Sequence, residues 1–136
     1  MGFASPVRDA EQFVSAWAAL WNGSFESAHE ICGEDFQIAF GAPDEKRRYP
    51  ADGLFGPDGF IEFLRRDHLK YPGIRFTIHN PVIGVFDPVG VSNFAARWHA
   101  DLPGGVSFSG IDAFEAHDGL LRRVWSVSAQ RRFPFE

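Results

Sequence analysis

Three strand-like runs fill the C-terminal third of the chain, Val91–Asp101, Val106–Ala116 and Leu120–Gln130, and only Pro103-Gly104-Gly105 and His117-Asp118-Gly119 separate them. Links this short join antiparallel neighbours, because a parallel partner needs a crossover of a dozen or more residues. The first run carries Arg97 and His99 two positions apart, a spacing that projects both onto one face of a strand. If that face is the concave one, a charged donor and a titratable base share a pocket.

Ahead of these strands the pattern is helical. Asp9 can cap a helix whose apolar set Phe13, Trp17, Leu20 and Trp21 follows the i, i+4, i+7, i+8 rule, and Asn22-Gly23 stops it. Ser24 opens a shorter helix with Phe25, Ala28, Ile31 and Cys32 inward and Gly33 at the left-handed position after its end. Asp35 to Phe40 alternates as a first strand. Residues 41–56, rich in Pro, Gly and charge, exceed the usual connection of about 4–6 residues and read either as a lid or as a solvated loop. Pro57-Asp58 begins a third helix with Phe60, Ile61, Phe63 and Leu64 inward, ended by Tyr71-Pro72-Gly73. A strand from Ile74 to Phe86 follows, in which Pro81 signals a bulge or an edge because it cannot donate to a ladder. Three helices with a hairpin-rich sheet make a single α+β domain over residues 1–136, the helices covering one face of a curved, mostly antiparallel sheet.

Composition excludes several partners. With a net charge of −5 and no basic cluster beyond Lys46-Arg47-Arg48 and Arg131-Arg132, the chain lacks the positive face that nucleic acid demands. No apolar run approaches the ~18 residues of a membrane span and the first residues lack a signal-type apolar region, so a cytoplasmic protein is expected. One cysteine, Cys32, excludes an internal disulfide and reads as core. No histidine, carboxylate and cysteine spacing forms a metal set, and no Gly-rich loop follows a strand to cradle phosphate, so no cofactor is expected. His29, His68 and His117 read as solvated.

Trp17-Ala18-Ala19-Leu20-Trp21-Asn22, Asp35-Phe36, Gly59-Phe60, Arg97-Trp98, Gly110-Ile111-Asp112-Ala113-Phe114, Asp118-Gly119-Leu120 and Trp125 occur in an order that resembles the NTF2-like superfamily, in its SnoaL-like, ketosteroid-isomerase-like branch. The resemblance spans nearly the whole chain. It implies a cone-shaped α+β (cystatin-like) barrel with an apolar cavity, often paired as a homodimer through the sheet, and no single activity. The chain departs from the branch where ketosteroid isomerases place a first-strand carboxylate (here Ile38-Ala39-Phe40) and a helix-one tyrosine (here Trp17 or Trp21). It departs again where many cyclases place an aspartate after the last-strand tryptophan, since Trp125 precedes Ser126-Val127-Ser128.

The candidate site residues come from both readings. His79, on the polar parity of its strand with Arg75 and Thr77, and His99, with Asn93, Arg97 and Asp101, either line a cavity or face outward. In a cavity, neutral His99 can lift a proton alpha to a carbonyl while Arg97 holds the developing enolate oxygen, with His79 and Asn22 in support. Otherwise Arg97 pairs with Asp101 or Asp112. Asp112, on an apolar parity with Phe108, Gly110 and Phe114, is either a buried acid with raised pKa or a structural hydrogen-bond acceptor. Trp17, Trp21, Phe40 and Trp125 are core or pocket wall, which in a cone-shaped barrel are one surface.

The expected function is therefore a small cofactor-independent enzyme that acts by proton transfer (isomerase, dehydratase or cyclase) on an apolar carbonyl or polyketide-like compound. The alternative is a non-catalytic binding or dimerisation module of the same fold. The expected partners are a small apolar molecule and a second copy of the chain.

Overall fold

A computed structural model describes residues 9–135, with the side chains of Asn80 and Pro81 excepted. Helix α1 spans Ala10–Trp21 and starts where Asp9 accepts a hydrogen bond from Gln12 N at 2.7 Å, the capping geometry its sequence position predicts. The expected second helix is broken into a 3-10 turn, Phe25–Ser27, and a single α turn, α2, Ala28–Ile31. Strand β1 begins at once, Cys32–Phe40, so Gly33 is extended and buried inside the strand and not at a left-handed helix end. Helix α3 (Gly56–Lys70) has its proline in the first turn. Strands β2 (Arg75–Val85), β3 (Val91–Asp101), β4 (Ser107–His117) and β5 (Leu120–Ser128) complete the chain.

The strands form one sheet in the order β1-β5-β4-β3-β2 that does not close on itself. The last four pair antiparallel in succession, and β1 joins the far edge parallel to β5, so the sheet is mixed. The register slips between His79 and Ile83 on edge strand β2, where the Pro81 signal places an irregularity. With the helices against one face, this is an α+β cone.

Strand alternation decides what that covered face holds. Phe94, Ala96, Trp98 and Ala100 of β3 and Asp112, Phe114 and Ala116 of β4 are buried on it. The helices answer with Phe13, Trp17, Leu20, Phe60 and Leu64, none of them above 1% exposed. Trp17 stacks on Phe60 at 5.4 Å, and Phe94 on Phe114 at 4.9 Å. Each such burial contributes about 1.5–3 kcal/mol. Cys32 lies in this core as expected, and burial pushes its thiol pKa up to about 12, which makes it a poor nucleophile.

A candidate active site at the open end of the cone

A cavity of about 440 Å³ lies between α1, α3 and the inner sheet face, within the usual size of small-molecule sites. Its walls are mostly aromatic: Trp17 and Trp21 from α1, Phe63 from α3, Phe76 from β2, Trp98 from β3 and Phe108 from β4. Phe40 at the end of β1 also lines it. Ala42, Pro43, Asp44 and Pro50 place the 41–56 loop at its mouth, and the ion pair of Lys70 with Glu45 at 2.7 Å ties that loop to α3.

Asp112 is the carboxyl of the sheet wall. It is 4% exposed, and each of its two oxygens accepts an indole N–H group, Oδ2 from Trp17 at 2.9 Å and Oδ1 from Trp98 at 3.0 Å. Ser126, directly opposite on β5, adds its hydroxyl. Burial raises the carboxyl pKa against the pull of these three donors. Trp98 reaches Asp112 because its cross-strand partner is Gly110, where any Cβ would collide with the indole ring.

A second carboxyl, Asp67, enters the cavity from α3. Burial raises its pKa as well, opposed only by the charges of His68 and Lys70. Among the described residues its carboxyl makes no hydrogen bond or ion pair.

The structure divides the residues expected from sequence. Trp17, Trp21, Phe40 and Asp112 line the cavity together. Arg97 and His99 do not: Trp98 between them points inward, so alternation sends both to the outer face of the sheet. There His99 Nδ1 lies 2.7 Å from His79 Nε2, and His99 Nε2 lies 3.1 Å from Asp101, in a chain outside the cavity of which His99 is buried and Asp101 exposed. The expectation that the polar parity of β3 lines the pocket is thus corrected; the larger apolar side chains took the inward parity.

Asn22 is a structural clamp, its side chain exchanging two hydrogen bonds with the backbone of Phe76 at 2.8 and 2.7 Å. Trp125 is 46% exposed on the outer face, because Val124 and Ser126 hold the inward positions of β5. His68 is half-buried, 2.6 Å from the carbonyl of Trp21, and not solvated.

Asp67 and Ser126 escaped the sequence reading, although a signal existed for the first. Asp67 falls seven residues after Phe60, four after Phe63 and three after Leu64, on the inward stripe of α3. Ser126 gave none by itself, since its role depends on standing opposite Asp112.

No family model matches the chain, and no curated protein sequence matches it. Solved structures do share its architecture. A SnoaL-like polyketide cyclase from Agrobacterium tumefaciens superposes with a TM-score of 0.65 at 20% identity, over 91% of this chain and 94% of that one. A proposed isomerase of the SnoaL-like family from the same organism gives 0.67 at 16% identity, over 88% and 96%. A protein with a ketosteroid isomerase-like fold from Catenulispora acidiphila, in complex with trimethylamine, gives 0.60 at 13% identity, over 84% and 82%. The chain shares the α+β cone fold of these SnoaL-like and ketosteroid isomerase-like proteins, the NTF2-like fold. Among the described residues no helix is long and apolar enough to cross a membrane, and no group of three potential metal ligands is found.

Proposed function

We propose that the chain is a proton-transfer enzyme needing no cofactor, which binds an apolar carbonyl or polyketide-like compound in the aromatic cavity and uses Asp112 as its acid–base group. One observation carries the reading: a carboxyl buried in an apolar cavity, with its pKa raised and its orientation set by two indole N–H groups. Such a carboxylate is a stronger base than one in water, and it is held in a single orientation for a bound C–H. It takes the proton alpha to the carbonyl, the C–H electron pair passes into an enolate, and isomerisation, ring closure or loss of a leaving group can follow. His99, Arg97 and His79 have no part in this step. Likeness to a polyketide cyclase fold supports the substrate class.

A second reading, a binding module without turnover, has its own support. All three donors around Asp112 come from the protein, which suits a fixed anchor as well as a base. In either case the working unit is a homodimer through the outer sheet face, where Ile83, Val85, Ile111, Trp125 and Val127 are 44–73% exposed.

The test is ring opening of 5-nitrobenzisoxazole, an apolar probe that needs only a base to remove its C3 proton as the N–O bond breaks. Asp112→Asn is expected to lower kcat/KM at least about a hundredfold, the scale of general-base catalysis, while His99→Ala keeps the wild-type value. Tight binding of the probe without turnover selects the binding module. Loss of turnover in His99→Ala with activity kept in Asp112→Asn overturns the assignment of Asp112.

A further inference from the structure

Of the three carboxyls that line the cavity, Asp44, Asp67 and Asp112, the last two are in opposite chemical situations. Asp112, on the sheet wall, has both oxygens held by indole donors. Asp67, on the helical wall, has no donor among the described residues. Donors to a carboxylate favour its ionised form, and their absence in a desolvated place favours the protonated acid.

We infer that Asp67 is the general acid that partners Asp112, and that the substrate is therefore a β-hydroxy carbonyl compound which the cavity dehydrates. This rests on the proton-transfer reading above and narrows it. Isomerisation and ring opening onto a stable anion need only a base, whereas expelling hydroxide from carbon needs an acid at the leaving oxygen.

In the step, the Asp112 carboxylate takes the alpha proton, so the C–H bond breaks and an O–H bond forms. The electron pair becomes the new carbon–carbon double bond as the C–O bond breaks. The Asp67 acid gives its proton to the departing oxygen, which leaves as water. The products are an α,β-unsaturated carbonyl compound and one water, with Asp112 protonated and Asp67 ionised. Proton exchange with solvent at the cavity mouth restores both.

The surroundings of Asp67 permit this cycle. On its own helix, His68 and Lys70 are the groups that act against the rise in its pKa. Lys70 is drawn to Glu45 of the 41–56 loop at 2.7 Å, and Arg66 to Glu62 at 3.7 Å. From the other elements, Asp44, Tyr71 and Asp112 face the same cavity. Burial is the influence that favours the acid form of Asp67.

The experiment compares two probes on the intact protein. One is 4-hydroxy-4-phenylbutan-2-one, whose dehydration gives a conjugated ketone that absorbs in the ultraviolet; the other is 5-nitrobenzisoxazole. Asp67→Asn is expected to lower dehydration about a hundredfold more than ring opening, and Asp112→Asn to lower both. Equal effects of Asp67→Asn on the two reactions, or dehydration at the wild-type rate in that variant, overturn the inference. Ring opening without any dehydration by the wild type overturns it too and leaves the Asp112 reading standing. Failure of both reactions removes both. Carboxyl carbon NMR of the unmodified protein gives a check that needs no turnover: Asp67 is expected to titrate above the ordinary aspartate range, and titration within that range overturns its role as an acid.

Discussion

Trp17 in the first helix donates its indole N–H to Oδ2 of Asp112 in the fourth strand, a 2.9 Å bond between residues 95 positions apart. It joins the helical layer to the sheet at the one place among the described residues where a carboxyl is almost wholly buried. Trp17→Phe keeps an aromatic ring but removes the donor and part of the buried indole volume. The variant is expected to lose at least about 1.5–3 kcal/mol, the scale of a hydrogen bond to a charged group, with the void left by the smaller ring adding to it. Urea unfolding measures this, and an unchanged midpoint would show that the bond contributes nothing net.

Asp112 also gives stability a pH dependence. Its folded-state pKa is raised by burial, and so is that of Asp67. Above the ordinary aspartate value near ~3.9 the unfolded chain releases these protons while the folded chain keeps them. The folded state then binds more protons, so stability falls as pH rises through the window between the unfolded and folded values. Stability of the wild type relative to Asp112→Asn should decline across that window in urea melts run from about pH 4 to pH 8. A rising difference would contradict the sign.

Gly110 is the smallest residue in the site and among the least replaceable. Gly110→Ala places a methyl against the Trp98 ring and must push the indole off Asp112. A loss of about 1–3 kcal/mol, typical of overpacking, is expected, together with a changed tryptophan emission spectrum. Wild-type stability and emission would mean that the ring has room to spare.

Trp125 makes a contrasting case. Being 46% exposed, it should tolerate Trp125→Ala with less than about 1 kcal/mol lost from the monomer. The change should instead weaken self-association, which sedimentation at several concentrations reads out. A collapse in monomer stability would place the side chain in the core after all.

Asn22→Ala deletes both bonds to the Phe76 backbone, leaving a partly buried N–H and C=O unpaired. About 1–3 kcal/mol should be lost. Asn22→Asp, which keeps the acceptor for Phe76 N but not the donor, should recover part of it, and a thermal melt distinguishes the three proteins.

Much of this architecture was legible in the residues themselves. The short links after Asp101 and around Asp118 dictated the β3-β4-β5 meander, Asp9 and Asn22 bounded α1, and Pro81 marked an irregular edge strand. These are local effects, carried by turn chemistry, capping and backbone hydrogen-bonding capacity. Ser24 to Cys32 misled for a reason equally local. Its apolar spacing is helical, but the core needed Cys32 and Gly33 in the first strand, and packing overrode the propensity.

What the sequence alone determined was each strand's two faces: Arg97 and His99 had to share one and Trp98 the other, whatever the fold. Which of those faces met the helices was a tertiary decision. It went to Phe94, Ala96 and Trp98 because theirs is the more apolar parity, while on the other face Arg97 keeps partial contact with water and His99 is buried beside His79 and Asp101. The same choice made the site. Asp112 and Asp67 stand 45 positions apart on a strand and a helix, and only the closure of the helical layer over the sheet brought both carboxyls to a single cavity.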